Sequence, residues 1–312
     1  MVTRVGHIAL HVADLDAAVD FQQQVLGMVE TDRLAGVSYL TCNDRHHELI
    51  LIEDPHRRGY DHLALEVADA GILETAGKRI AAAGGTVLGG VYDGEPGIDR
   101  ALKVASPAGH VYKLFCGMQT VAPPPPGDRP LKFEHVSTKV LNHRAEERFL
   151  TRGLGFRCSD RMGFLASWWH CDEDHHGIAL TLAPRAELSH YAYTFGDLAA
   201  LGRVADRLKA ARHQKCIWGP SRHGPGNNHF LYFHDQDGAM IECCSELAQM
   251  QADRYQPRRW SMHPGTINQW GAPPPPRFLL TGFPIAPPQP GRPPWAVGDG
   301  RPPETTTATV RA

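Results

Sequence analysis

The sequence predicts an α+β protein built as two tandem domains, and two observations carry that prediction. The segment VGHIALHVADLDAAVDFQQQVLGM, a strand pattern followed by an amphipathic helix and a Leu-Gly ending, recurs as FEHVSTKVLNHRAEERFLTRGLGF. The spacing of histidines repeats as well, because His62 lies 55 residues after His7 and His190 lies 55 residues after His135. A tandem duplication accounts for both observations.

Each copy divides again into two units of strand, helix and further strands. The helices predicted at Asp14–Leu26 and Ala145–Leu154 should lie on one face of a sheet whose other face bends around a cavity. The proline run VAPPPPGDRP favours extended geometry between the copies. The four units cover about 4–53, 60–116, 132–182 and 188–244. We therefore expect domains at 1–120 and 132–247, a linker at 121–131 and a C-terminal tail at 248–312.

Length and composition exclude several classes of protein. The 312 residues suffice for two domains that each bury a core. A net charge of −2 provides no basic surface for nucleic acid or an anionic membrane, so we expect neither partner. The sequence has no apolar run of the roughly 18 residues needed to span a bilayer, and its first residues lack the pattern of a signal peptide. Seven cysteines without a paired framework suit a reducing compartment, so we expect a cytoplasmic protein.

The C-terminal tail differs in composition from the rest of the chain. Of the 25 prolines, 14 lie beyond residue 246. A tail of this composition cannot form a dense core, and we expect its last twenty or so residues to be disordered. The part from Trp260 to Pro276 contains two tryptophans, which favours packing on a domain or on a neighbouring subunit. We therefore expect a homo-oligomer.

A candidate metal site lies in the second half. The stretch from Ser221 to Glu242 predicts a hairpin, and Glu242 ends its second, apolar strand, where a buried carboxylate needs a cation or a metal. His135 and His190 occupy equivalent inward-facing strand positions in the two units of this half. Two imidazoles and one carboxylate form the facial triad of non-haem Fe(II) oxygenases, and Mn(II) takes the same ligands. The alternative is that both histidines are ordinary core residues.

Five sequence motifs of the second half extend this pattern. They are FEHV from Phe133, HHGIAL from His175, LSHY from Leu188, RHGPGNNHFLYF from Arg222 and DGAMIE from Asp237. Together they resemble the type I extradiol ring-cleavage dioxygenases of the vicinal oxygen chelate superfamily. The resemblance covers roughly residues 4–246 and implies four βαβββ modules, with a curved mixed sheet enclosing a pocket in each domain.

The resemblance also implies an activity, which is opening of a catechol ring beside its two hydroxyls with Fe(II) as cofactor and O2 as cosubstrate. By that resemblance, His135, His190 and Glu242 bind the iron, and His176 is the acid/base. His223 and Tyr232 then act on the substrate from beside the metal. We expect three further residues to line the substrate pocket, namely Trp168, His175 and Asn228.

The first half departs from this pattern. His7 and His62 keep their separation, but Lys113 stands where the second half has Glu242. A protonated lysine is not a metal ligand and is repelled by a divalent cation, so we expect the first half to be metal-free. Glu53 leaves a weaker alternative, in which His7, Glu53 and His62 form a site.

Two other function classes stay open. A non-redox isomerase on the same scaffold usually needs a fourth protein ligand, and the strand GIALTL from Gly177 to Leu182 offers no carboxylate for that role. A protein that only sequesters an aromatic molecule has no need of this set of histidines, and bound metal would distinguish it from an enzyme.

Overall fold

The computed structural model describes residues 1–211, 216–250 and 256–287. Within them the chain forms two mixed sheets, one in each half. The strands of the first half are β1 (Val2–Val12), β2 (Val29–Leu34), β3 (Val37–Thr41), β4 (Leu49–Glu53), β5 (Gly59–Val67), β6 (Thr86–Val87), β7 (Tyr92–Asp93), β8 (Arg100–Ala105) and β9 (Val111–Cys116). Those of the second half are β10 (Lys132–Val140), β11 (Arg157–Met162), β12 (Ala166–His170), β13 (Ile178–Leu182), β14 (Glu187–Thr194), β15 (Trp218–Arg222), β16 (His229–His234) and β17 (Met240–Ser245).

Strand order confirms the duplicated α+β architecture. In the first sheet the order is β2-β3-β4-β1-β5-β9-β8-β6, with β7 also paired to β8. The second sheet repeats it in the order β15-β16-β17-β14-β10-β13-β12-β11. In every unit the last strand runs parallel to the first, while the first strands of the two units pair antiparallel at the centre of the sheet. This is the βαβββ arrangement that the resemblance implied.

The helices predicted at Asp14–Leu26 and Ala145–Leu154 are present, although the second begins two residues earlier than predicted, at His143, and each ends in a π-helical turn. Each of the four units contributes one α-helix. They are α1 (Leu15–Phe21), α2 (Ala70–Ala82), α3 (His143–Arg148) and α4 (Leu198–Ala210). The Asp14 side chain accepts a hydrogen bond from the Ala17 N–H at 3.0 Å, as expected for an N-cap. A π-helical turn, Gln22–Leu26, follows α1, and Gly27 ends it at φ 74° in the left-handed region. The same π turn follows α3 at Phe149–Leu154 and was not predicted, because periodicity alone does not separate it from an α-helical turn.

The two halves share one apolar core. Its buried members come from both sheets and from the helices that cover them, among them Phe21, Leu63, Phe149 and Leu231. Each fully buried side chain of this size contributes about 1.5–3 kcal/mol relative to an exposed one. Because the helices take one face of each sheet, the opposite concave face is left free to hold a pocket.

The tail packs on the second half of its own chain. It forms β18 (Arg258–Trp260), α5 (Pro264–Ile267), α6 (Pro276–Leu280) and β19 (Phe283–Pro284). Strand β18 runs parallel to β11, and β19 pairs antiparallel to β14. Of the two packing partners expected for Trp260–Pro276, the structure therefore shows the chain's own domain. The predicted disorder at the C-terminus falls largely on 288–312, outside the described residues, and the oligomeric state stays a prediction. Among the described residues we find no helix with the length and apolar character needed to cross a membrane.

Candidate active site

Three adjacent strands of the second sheet bring two histidines and one glutamate together. His135 lies on β10, His190 on β14 and Glu242 on β17, and β14 pairs with both of the others. His190 lies opposite Ser137, and Glu242 lies opposite Ala192, so the three side chains leave the same concave face near the middle of the sheet. Residues separated by 107 positions in sequence thus meet because the parallel and antiparallel pairings place their strands side by side.

The donor atoms of this triad converge on one point. His135 Nε2 and His190 Nε2 each lie 3.1 Å from Glu242 Oε2, and all three residues are buried. Ligand atoms about 2 Å from one divalent ion and at right angles to each other lie about 3 Å apart, so the observed spacing fits a facial set of three ligands. The Nδ1 atoms of both histidines are buried without a hydrogen-bond partner among the described residues. The rings therefore direct their polar contacts toward the carboxylate.

The surroundings of Glu242 and His190 shift the pKa values of both side chains toward their metal-binding forms. Burial disfavours the charged form of Glu242, but the imidazoles of His135 and His190 outweigh it and hold the pKa of this carboxyl well below its ordinary value. Burial also lowers the pKa of His190, although Glu242 opposes the shift. Neutral imidazole and ionised carboxylate are the forms that bind metals.

His176 stands beside the triad and belongs to a chain of three polar side chains. Its ring centroid lies 4.3 Å from that of His135, and burial, followed by the His135 imidazole, lowers the pKa of His176 well below 6.5. His175 Nε2 lies 3.1 Å from Asp160 Oδ2, and His175 Nδ1 lies 3.1 Å from His176 Nδ1. Because a carboxylate only accepts, His175 donates from Nε2 and, when neutral, accepts at Nδ1 from His176. This leaves the lone pair of His176 on Nε2.

Tyr232 and His223 close the other side of the triad. The Tyr232 hydroxyl lies 2.7 Å from Glu242 Oε2 and 3.0 Å from His223 Nε2. His223 Nδ1 donates to the Ile267 carbonyl oxygen at 2.5 Å, so in the neutral ring Nε2 is an acceptor. Burial lowers the pKa of His223 to about 4, which keeps this ring neutral. The single hydroxyl hydrogen of Tyr232 therefore has two acceptors within reach.

The triad forms part of the wall of a cavity of 490 Å³. Besides the triad, His176, His223 and Tyr232 line it, and so does Trp168 on β12. The remaining wall is mostly apolar and includes Met162, Leu165, Ala166, Leu182, Pro273 and Leu279. Ile267 and Phe278, both from the tail, face the same space. A buried group of two histidines and one carboxylate beside an apolar cavity has the form of an enzyme active site.

Two residues expected in the pocket lie elsewhere. Neither His175 nor Asn228 is among the described residues that line the cavity. His175 precedes β13 next to His176, and its ring lies between Asp160 and His176 instead of lining the cavity. The Asn228 side chain is buried and donates from Nδ2 to Glu242 Oε1 at 3.0 Å. Both residues contact a side chain of the site, His176 or Glu242, without lining the cavity. This corrects the prediction that they line the pocket.

Other residues of the site were missed. Asp160 was not singled out, although the duplication places Asp32 128 residues before it, and that repeat was the available signal. No sequence pattern indicates that the tail residues Ile267 and Phe278 line the cavity, because neither repeat spacing nor periodicity shows where a proline-rich segment packs.

The first half contains a related group with a different carboxylate. Lys113 on β9 donates to the Glu95 carboxylate and lies 3.3 Å from His7 Nε2. Glu53 is exposed at the end of β4 and belongs to no ligand group found among the described residues. The alternative site of His7, Glu53 and His62 is therefore wrong, and Glu95 takes the carboxylate position beside His7 and His47.

Comparisons with known proteins agree with this geometry. Residues 4–111 match the model of the glyoxalase/bleomycin resistance protein/dioxygenase superfamily. The chain is 26% identical over 313 residues to a metapyrocatechase of Geobacillus stearothermophilus, covering 91% of this chain and 94% of that protein. It is 24% identical over 286 residues to a manganese-dependent 2,3-dihydroxybiphenyl 1,2-dioxygenase of Geobacillus genomosp. 3, covering 84% and 91%.

Solved structures show the same fold. A Mn(II)-bound glyoxalase from Novosphingobium aromaticivorans is 28% identical, with a TM-score of 0.83 over 93% of this chain and 96% of that one. Homoprotocatechuate 2,3-dioxygenase from Arthrobacter globiformis is 22% identical and has a TM-score of 0.84 over 91% and 92%. The duplicated βαβββ units and these relatives agree with the match of residues 4–111 to the glyoxalase/bleomycin resistance protein/dioxygenase superfamily.

Proposed function

We propose that this protein is a metal-dependent extradiol dioxygenase, which opens a catechol ring beside its two hydroxyls and places both atoms of O2 in the product. The observation that carries the proposal is the convergence of His135 Nε2, His190 Nε2 and Glu242 Oε2 in the wall of a cavity. This donor set leaves one side open for other ligands. The curated relatives named above carry ring-cleavage names, which supports the same conclusion.

His135, His190 and Glu242 would hold Fe(II) or Mn(II). Either ion, when bound, supplies Lewis acidity toward the two catechol oxygens and a redox route between the aromatic ring and dioxygen. The donor set suits both metals, and we propose Fe(II) as the resident ion, with Mn(II) the other candidate.

His176 would move protons at its Nε2 atom. Because Nδ1 is engaged by His175, Nε2 has the free lone pair and lies at the cavity. Burial keeps the free ring neutral, so it can accept a proton from a catechol hydroxyl. The protonated imidazole of His176 then returns this proton to an oxygen atom of the substrate as the catechol ring opens. A positioned group of this kind contributes typically about 10²–10⁴-fold to a rate.

Tyr232 and His223 would orient the substrate. The Tyr232 hydroxyl can donate to Glu242, to His223 or to a catechol oxygen that enters the cavity. His223 is fixed by the Ile267 carbonyl, so its acceptor nitrogen has one direction only. Together they give the cavity a polar end beside the triad, while the rest of the wall is apolar.

The cavity favours a neutral catechol with more than one ring. Its 490 Å³ lies within the range of about 300–1,000 Å³ typical of pockets for drug-sized ligands. Lys139 is the one lysine or arginine among the described lining residues. Its ammonium already donates to the carbonyl oxygens of Leu279 at 3.0 Å and Thr281 at 2.6 Å. A substrate carboxylate would therefore find no free cation in this wall.

Oxygen uptake tests the proposal. The full chain is stripped of metal, reconstituted anaerobically with Fe(II) or Mn(II), and mixed with single-ring, biaryl, fused-ring and carboxylated single-ring catechols. We expect one O2 consumed for each coloured ring-opened product, and the highest kcat/KM with a neutral two-ring catechol. Stoichiometric metal without oxygen uptake would instead indicate a non-redox isomerase, and a chain that binds no metal would indicate a protein that sequesters aromatic ligands.

A further inference from the structure

The first half contains a second buried histidine cluster that repeats the geometry of the active site. His7 and His47 have ring centroids 4.3 Å apart, the same separation as His135 and His176. The separation of His7 and His62 is 5.6 Å, and the corresponding pair in the second half is also 5.6 Å apart. The duplication has thus preserved the positions of the rings.

The two clusters differ in the residue on the last strand of the half. Lys113 on β9 takes the place that Glu242 takes on β17. Its ammonium is fully buried, donates to Glu95 and lies 3.3 Å from His7 Nε2. Since an ammonium only donates, His7 accepts at Nε2. The nitrogen of Lys113 therefore has both a carboxylate and an imidazole around it, as a bound cation would.

The groups around this ammonium are metal-binding groups. One ligand atom each from His7, His47 and Glu95 lie within 4.8 Å of one another, the same limit met by the triad of the second half. All three residues are buried, and His47 Nε2 has no hydrogen-bond partner among the described residues. Two imidazoles and one carboxylate are present in both halves, but in the first half the carboxylate comes from the loop between β7 and β8.

We propose that the ammonium of Lys113 is the resident cation of the first half, which neutralises Glu95 and keeps divalent metal out of a complete ligand set. A divalent ion among these donors would stand beside a positive charge in a dry interior, which is strongly unfavourable. A buried Glu95 without Lys113 would instead lack a counter-charge. Removal of Lys113 therefore turns His7, His47 and Glu95 into a second metal site.

Metal stoichiometry of the full chain tests this inference without any assay of turnover. Wild type and Lys113→Met are stripped of metal, titrated with Co(II), and analysed for bound cobalt and for the visible absorption of the Co(II) site. We expect one ion per chain in wild type and two in Lys113→Met. The double variant Lys113→Met/Glu95→Gln should return to one, because the carboxylate ligand is lost.

A second set of variants, made in the Glu242→Gln protein, distinguishes metal bound in the first half from metal bound in the second half. In Glu242→Gln we expect no tightly bound Co(II), and adding Lys113→Met should restore one ion, which anomalous diffraction would place near His7. Lys113→Gln, whose amide can still donate to Glu95, gives the same test if Lys113→Met does not fold. A folded Lys113 variant that keeps one ion, an extra ion that survives Glu95→Gln, or two ions in wild type would each overturn the proposal.

Discussion

The two halves of this protein have nearly the same fold but place different residues beside their buried histidines. In the second half, His135 and His190 meet Glu242 beside a cavity that is open to a ligand. In the first half, His7 lies 3.3 Å from the ammonium of Lys113, and the buried carboxylate of Glu95 pairs with that ammonium. The fold sets where the rings lie, and we propose that one residue on the last strand, Lys113 or Glu242, decides which cation can enter.

The largest expected effect comes from removing that one residue in the second half. Glu242→Gln keeps the size of the side chain but removes the anion on which both imidazoles converge. We expect the chain to lose its bound metal and its oxygen uptake together, down to the uncatalysed background. Metal analysis and the catechol assay measure both, and Lys113→Met is the matched control that should keep turnover. Full metal occupancy in Glu242→Gln would refute the assigned ligand set.

The next effect separates metal binding from proton transfer. His176→Ala removes the Nε2 acceptor at the cavity but none of the three metal ligands. Turnover should fall by about 10²–10⁴-fold while the metal content stays at that of wild type. The control is His47→Gln, the corresponding position of the first half, which should change neither quantity. Loss of metal in His176→Ala would mean that His176 is a metal ligand and not the group that transfers the proton.

A smaller effect is expected at Asp160, which contacts His176 through His175. Asp160→Asn replaces the carboxylate that accepts from His175 Nε2 with a neutral amide, which can donate as well as accept and no longer fixes the hydrogen of His175 on Nε2. The lone pair of His176 is then no longer fixed on Nε2. We expect kcat to fall by about 10–100-fold, with KM and metal content near wild type.

Trp260→Phe is the control for this variant. The indole N–H of Trp260 also donates to Asp160 Oδ2 at 2.6 Å, so Asp160→Asn disturbs the docking of the tail as well as the histidines. Trp260→Phe removes this side-chain contact with the tail, keeps the Arg258 N–H donating to Asp160 Oδ1 at 3.0 Å, and should keep kcat near wild type. Equal losses of kcat in the two variants would show that Asp160 acts by holding the tail and not by directing proton transfer at His176.

The repeat explains why so much of this molecule could be predicted from its sequence. Equal spacings around His7 and His135 predict both the duplicated fold and the meeting of His135, His190 and Glu242, because equivalent strands of paired units must face one concave surface. The predicted roles of these residues in metal binding and catalysis stay predictions that the experiments above test.

The remaining parts of the site depend on features that spacing does not encode. Glu95 lies in a loop between two strands, so no periodicity aims its side chain at Lys113. His175 was expected to line the pocket, but its ring lies between Asp160 and His176, a contact that the spacing of the histidines does not indicate. The docking of the tail over the cavity rests on contacts such as that of Trp260, which a proline-rich composition does not reveal.

The last expected effect leaves turnover unchanged and concerns stability and the junction between the halves. Glu146 on α3 accepts hydrogen bonds from the Ser106 hydroxyl and, at 3.0 Å, from the Ala108 N–H in the first half, whereas the equivalent position of α1 is Ala18. Burial raises the pKa of Glu146 from 4.5 to about 7. The folded chain thus holds this proton more tightly than the unfolded chain, so the resulting stabilisation is complete below pH 4.5 and is lost as the pH rises through about 7.

Glu146→Gln removes this dependence, because an amide does not titrate. Between pH 5 and 8 the free energy of unfolding of wild type should fall by up to about 3 kcal/mol more than that of the variant. Urea unfolding at several pH values measures the difference, and Asp235, whose pKa burial also raises to about 7, contributes equally to both proteins. Asp20→Asn removes an exposed charge from α1 and should follow wild type. Parallel pH profiles for wild type and Glu146→Gln would mean that the carboxylate stays charged at the junction, and that the two halves are joined by an ionised Glu146 with no counterpart in α1.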